Sequence, residues 1–226
     1  MSRLFAIPVI AIALSAPAFA DTKTYDFQNF DKIDISAGYE VIFIQSNQRS
    51  VTIESDDFSK ITAKQIGDTL KISRPDHTNL RGKVHDVVRI SAPDLEMAKL
   101  SAGVKFLVDG LQVDNLDLKI NAGVEADFRR VNAKNIRLDA NAGVEIELGG
   151  ECETLSIDAS AGADIDASKL RCRSAKVDAA VGSSVHVHTI DSIVADAGLG
   201  ASITVAGAPK NVDKHVSLGG SVSLDR

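Results

Sequence analysis

The stretch Asn121-Ala122-Gly123-Val124-Glu125-Ala126-Asp127-Phe128 returns twenty residues later as Asn141-Ala142-Gly143-Val144-Glu145-Ile146-Glu147-Leu148. Outward from this pair, related motifs stand at Ser101-Ala102-Gly103-Val104 and Ser160-Ala161-Gly162-Ala163. Weaker copies follow at Ala180-Val181-Gly182-Ser183, Gly198-Leu199-Gly200-Ala201 and Ser217-Leu218-Gly219-Gly220. The glycines fall at 103, 123, 143, 162, 182, 200 and 219, with steps of 20, 20, 19, 20, 18 and 19 residues. A period in this range marks a repeat unit that buries its apolar side only by stacking on its neighbours.

Aligned on the glycines, apolar residues alternate with polar ones: Leu116, Leu118, Ile120, Ala122, Val124, Ala126 and Phe128, then Ile136, Leu138, Ala140, Ala142, Val144, Ile146 and Leu148. Period two is the signature of a strand with one buried face. Copies stacked at the roughly 4.8 Å strand spacing give a continuous core. These features predict an all-β chain folded as a single-stranded parallel β-helix, a β-solenoid with 18–20 residues per coil. An antiparallel sandwich is the rival, but it does not require the same residue type at matching offsets in every copy.

Residues 101–226 carry the regular repeats. Residues 21–100 read as less regular rungs of the same continuous domain, 21–226, with a further motif at Ser36-Ala37-Gly38-Tyr39 and short strands at Val51-Thr52-Ile53, Leu70-Lys71-Ile72 and Val87-Val88-Arg89-Ile90. Arg81-Gly82 reads as a turn between them. Residues 1–20 read as a signal peptide: basic Arg3, an apolar run from Leu4 to Leu14, and Ala18-Phe19-Ala20, which places cleavage between Ala20 and Asp21. No later segment has the length of a transmembrane helix. An exported protein is expected, in the periplasm first, with the cell surface or secretion as the other destinations.

The whole chain of 226 residues has 25 Lys and Arg against 31 Asp and Glu, and removal of the leader takes away a single base, Arg3. An acidic balance argues against nucleic acid as a partner, because phosphate recognition needs clustered Lys and Arg. With eight Phe, two Tyr and no Trp, the interior is expected to be a narrow column of Ala, Val, Ile and Leu. The glycine and the small residue two places before it, the preceding outward position (Ser101, Asn121, Asn141, Ser160), form columns of their own. They read as a corner with positive φ, or as a grooved strip that accepts a partner surface or another protomer.

Stacking turns each offset into a column of side chains. Glu125, Asp127, Glu145, Glu147, Asp164 and Asp166 form a patch of six carboxylates over three rungs with no base interleaved, read either as a solvated acidic face or as a Ca²⁺ site of hard oxygen ligands. Asp139, Asp158, Asp178 and Asp196 form a second acidic column, relieved by Arg137 and Lys176. Cys152 and Cys172 occupy equivalent places, which puts their Cα atoms at about the strand spacing and within disulfide range. Ala133 and Ile190 share that column and suggest that it points inward. His186 and His188, with Asp166 below His186, lack a third firm metal ligand; His77, His85 and His215 stand apart. No Gly-x-Ser-x-Gly elbow, Gly-rich phosphate loop or Gly-Gly-x-Gly-x-Asp calcium repeat occurs.

The order Phe30-x-x-Ile33-x-Ile35-Ser36-Ala37-Gly38-Tyr39-x-Val41, followed by Gln45, Val51-Thr52-Ile53-Glu54, Leu70-Lys71-Ile72, Ile90-Ser91-Ala92-Pro93-Asp94-Leu95 and Leu100-Ser101-Ala102-Gly103, resembles the head GIN domain family, described as the heads of auto-transporter adhesins. The resemblance covers nearly the whole mature chain. It implies an exported β-helix of stacked parallel strands and transfers no catalytic residue and no cofactor. The expectation is therefore a non-enzymatic adhesin-like or cell-envelope protein that binds a protein, a glycan or the envelope itself. The alternative is a polysaccharide-active β-helix enzyme, disfavoured by the short turns and the absence of Trp to stack on sugar rings.

Overall fold

The computed structural model describes residues 21–74 and 86–225. The leader with Ala20, the turn at Arg81-Gly82, and His77 and His85 lie outside the described residues. The chain is nearly all strand and winds about six turns of parallel β-solenoid.

Among the described residues, eight short strands come first: β1 Asp21–Tyr25, β2 Lys32–Ser36, β3 Glu40–Gln45, β4 Ser50–Ser55, β5 Thr62–Ile66, β6 Thr69–Ser73, β7 Val87–Ala92 and β8 Met97–Ser101. Five long strands follow, each wrapping one coil: β9 Lys105–Asn121, β10 Glu125–Asn141, β11 Glu145–Ser160, β12 Asp164–Ala179 and β13 Ser184–Ala197. Three short strands close the chain: β14 Ser202–Ala206, β15 Asn211–Val216 and β16 Ser221–Leu224.

Burial along β9 shows how one coil is built. Phe106 and Val108 point inward, then Leu111 and Val113, then Leu116, Leu118 and Ile120. Alternation breaks after Val108 and after Val113, so each coil has three faces joined by corners, and the motif glycine lies in the third corner. Parallel pairing holds flat faces in strict register, Glu125↔Glu145↔Asp164 on the first and Asp139↔Asp158↔Asp178 on the third. Register shifts fall between Phe128 and Val131, Glu147 and Gly149, Ala167 and Arg171, and Cys172 and Ser174. The unequal steps seen in the sequence are thus absorbed at bends, because a one-residue slip within a face would turn its apolar row outward.

The motif corner differs from the alternation read in the sequence. Ala122 and Ala142, expected in the inward row, are exposed. Each has positive φ, 59° and 61°, as do the glycines that follow, 71° and 66°. Two successive left-handed residues turn the chain from the third face of one coil to the first face of the next. The turn is tied across coils, since Gly123 N–H donates to the Ala142 carbonyl at 3.2 Å and Gly143 N–H to that of Ala161 at 3.1 Å. Alternation cannot reveal such a pair, because it takes both residues out of the pleat.

The N-terminal end departs from the parallel stack. β4 pairs antiparallel with β7, β1 with β4, and β5 with β6. These strands finish the two sheet faces that otherwise run on through β3–β7 and β2–β6. Arg74 and Asp86, both largely buried, form an ion pair at the two ends of the 75–85 segment, and the Arg74 guanidinium lies 5.1 Å from the Tyr39 ring centre.

Tyr39 is 1 % exposed. Burial pushes its phenol up to about 12, and nearby Arg74 pulls the other way without cancelling the effect. An unfolded tyrosine ionises near pH 10, so above that pH the unfolded state gains ionisation free energy that the fold does not. Stability is expected to fall by about 1.4 kcal/mol per unit between about pH 10 and pH 12 from this residue. The check is the difference in urea midpoints between the wild type and Tyr39→Phe across that window: the wild type should lose stability relative to the variant as the pH rises, and a constant difference would refute the assignment.

Candidate functional site

On the first face, the outward column through Glu40, Lys105, Glu125, Glu145 and Asp164 lies beside the column through Leu107, Asp127, Glu147 and Asp166. Between them is a groove of about 340 Å³, with Glu40, Lys105, Glu125, Asp127, Glu145 and Glu147 on its rim and Phe106 and Ala126 beneath. The structure brings the six predicted carboxylates onto three neighbouring rungs, as β-register demands.

It also corrects one expectation about them: bases do reach the patch, from its margins. Lys105 Nζ lies 2.5 Å from Glu125, Arg129 Nε donates to Asp127 at 2.8 Å, and Lys169 Nζ lies 3.6 Å from Glu147. Lys105 comes from the rung below, Arg129 from two residues along the same strand, and Lys169 from the bulge after Asp166. Asp166 is held below the usual carboxylate range first by the Ser168 hydroxyl, against a smaller opposing effect of burial, and further by the Ser168 N–H, Lys169 and His186. Its Oδ1 accepts from the Ser168 hydroxyl at 2.5 Å and from the Ser168 N–H at 2.9 Å.

Among the described residues, no three His, Cys, Asp or Glu side chains converge as a metal-holding group. His186 sits over Asp166 in register, while His188 sits over Arg171. His215 lies at the far end of the other acidic column, its Nδ1 3.1 Å from Asp196 and 3.8 Å from Asp213. Melting temperatures in millimolar Ca²⁺ and in chelator are expected to coincide; a rise with Ca²⁺ would place an ion on the patch of Glu125, Asp127, Glu145, Glu147, Asp164 and Asp166.

Cys152 and Cys172 face each other in register and are joined as a disulfide with Cα atoms 4.5 Å apart. Their column points inward, but its next member is buried Thr189, not Ile190. The register shifts between β12 and β13 move Ile190 out to 38 % exposure. Twenty residues separate the cysteines, so losing the bridge in Cys152→Ala/Cys172→Ala should cost about 3 kcal/mol. Mass spectrometry of the protein isolated from its own cells without reductant is expected to show both thiols protected from alkylation, and full labelling would rule the bridge out.

The third face carries a column whose sign changes along the solenoid axis: Lys71, Asp34, Lys99 and Lys119, then Asp139, Asp158, Asp178 and Asp196, with His215 last. Beside it runs the motif corner. The corner residue preceding glycine is Ala in the earlier coils, but Val181, Leu199 and Leu218 in the last three, 52 %, 54 % and 77 % exposed. All three have positive φ, a conformation that is costly for a β-branched side chain such as Val181. Sequence reasoning missed this apolar ridge because it counted the position as inward; the signal was present as a change from Ala to Val and Leu in one column. Leu199 and Leu218 of the ridge, with Val216, wall a second groove of about 440 Å³ opposite Asp158, Asp178 and Asp196.

A family model described as "Putative auto-transporter adhesin, head GIN domain" matches residues 29–209. No functionally curated protein matches the chain. Among solved structures, a protein of Bacteroides fragilis named as an adhesin is similar at TM-score 0.85 and 19% identity, over 91% of this chain and 96% of that one. A Parabacteroides distasonis protein named as lipid binding is similar at TM-score 0.72 and 15% identity, over 93% and 98%. An adhesin-named protein of Parabacteroides merdae is similar at TM-score 0.63 and 15% identity, again over 93% and 98%. At these identities the likeness establishes the fold.

Proposed function

The chain belongs to the head GIN domain family, and from that premise we propose that it is an exported, non-enzymatic, adhesin-like solenoid that acts in the periplasm or at the cell surface. The observation that carries this reading is the outward half of the alternation: each coil adds its polar side chains to straight columns on a wall of hydrogen-bonded strands. Such a wall is pre-ordered, so a partner does not bear the entropy of arranging it. The carboxylate-rimmed groove on the first face fits a partner with cationic or hydroxyl groups, on a protein, a glycan or the envelope. The family name for adhesins agrees with a binding role.

Two measurements test the reading. Fractionation is expected to recover the mature protein, beginning at Asp21, outside the cytoplasm. The purified protein is expected to bind isolated cell envelopes or their polysaccharides, and Glu125→Gln/Glu145→Gln to bind at least tenfold more weakly. Equal binding by the variant would remove the groove from the proposal. Turnover of any acidic or neutral polysaccharide would replace it with the enzymatic alternative.

A further inference from the structure

We infer that the third face is a self-association surface, on which two copies pack side by side with their solenoid axes antiparallel. Its central column is basic toward the N-terminal end (Lys71, Lys99, Lys119) and acidic toward the C-terminal end (Asp158, Asp178, Asp196). Some of these charges already have partners within the chain: Asp34 meets Lys71 at 3.1 Å and Lys99 at 3.7 Å, Lys119 meets Asp117 at 3.6 Å, Lys176 meets Asp178 at 3.0 Å, and His215 lies 3.1 Å from Asp196. Asp158 has no cation at ion-pair distance among the described residues.

A closed dimer built on one face needs a two-fold axis, and the axis can run in two directions within the interface. An axis along the solenoid sets each rung against its own copy, Lys99 against Lys99 and Asp178 against Asp178, which is repulsive throughout. An axis along the strands reverses the order of rungs. With full overlap it sets Lys99 across from Asp178 of the second copy and Lys119 across from Asp158, each contact occurring twice; at the ends Lys71 falls across from His215, and Asp34, already met by Lys71 and Lys99, across from Asp196. The axis then passes by Asp139, which Arg137 already holds at 3.1 Å. Electrostatics thus selects one arrangement and rejects the other.

Shape follows the same symmetry. Rotation about the strand direction keeps corner beside corner, so Val181 of one copy lies next to Ala102 of the other, and Leu199 falls on the rung of Ala37, which is itself buried. Bulky apolar corners in one half therefore meet small ones in the other, which accounts for exposed Val and Leu at strained positions. The face spans nine rungs from β6 to β15. At about 4.8 Å per rung and about 17 Å of strand it offers about 700 Å² per copy, within the range of stable dimers.

Sedimentation of the purified protein is expected to show a dimer at about 0.05 M salt that weakens toward about 0.5 M, as screening removes the charge pairing. Lys99→Glu/Lys119→Glu and Asp158→Lys/Asp178→Lys should each raise the dimer dissociation constant at least tenfold while leaving the circular dichroism spectrum unchanged, since all four side chains point to solvent. Mixing the two variants should restore a heterodimer. A monomeric wild type at low salt, variants that dimerise like the wild type, or failure of the mixture to associate would each overturn the arrangement.

Discussion

Replacing Gly150 with alanine is expected to cost about 4 kcal/mol or more and to leave little folded protein, a loss at the extreme of single substitutions. The same change at the motif glycine Gly143 should cost only about 1 kcal/mol. The contrast is steric. An added Cβ at Gly150 would sit 2.0 Å from the Val131 carbonyl oxygen and 2.6 Å from its nitrogen, and the backbone there has φ of +134°. Gly150 pairs with Val131 just past the bend where β11 runs one residue shorter than β10. The neighbouring coil's backbone therefore occupies the space a side chain would take, and backbone held in two ladders cannot yield. At Gly143 a Cβ meets nothing within 4 Å, and only the left-handed φ of +66° opposes it. Urea unfolding of both variants decides the matter: equal midpoints would refute this account of the bend.

Phe128→Ala is expected to lower stability by about 3–5 kcal/mol. Phe128 is fully buried at the bend of the first face, pairs in register with Val108 below and Leu148 above, and packs its ring 5.4 Å from that of Phe106. The solenoid interior is narrow, and backbone ladders on every side keep it from collapsing into the vacated volume. A cavity should remain, so the loss should sit at the upper part of the range. Phe128→Leu, which keeps most of the volume, is expected to lose less than half as much. A midpoint shift of the alanine variant no larger than that of the leucine variant would show that the coil closes around the gap.

The glycine register, the period and the in–out alternation were all legible because each is local in sequence and repeated. From them follow the parallel stack, the columns of Glu125, Glu145 and Asp164, and the equivalent places of Cys152 and Cys172. The bases that serve the acidic patch were not legible. Lys105 and Lys169 reach it from another rung and from a bulge, and long side chains cross columns that an alignment keeps separate. Ile190 misled for a related reason: the short coil preceding Gly200 puts Thr189 in the inward place, and counting back from the glycine assumes that every coil bends at the same residue.

By itself the sequence determined that this chain must stack its repeats, because a coil of about twenty residues with one apolar row buries that row only against its neighbours. Tertiary structure alone decided where the coil bends, which glycine has backbone pressed against it, and which side chains the bends turn outward. Stacking follows from composition repeated at a period. Corners depend on contacts between coils, where Val131 meets Gly150 and Gly182 N–H meets the Leu199 carbonyl at 3.1 Å, and no single repeat contains both partners.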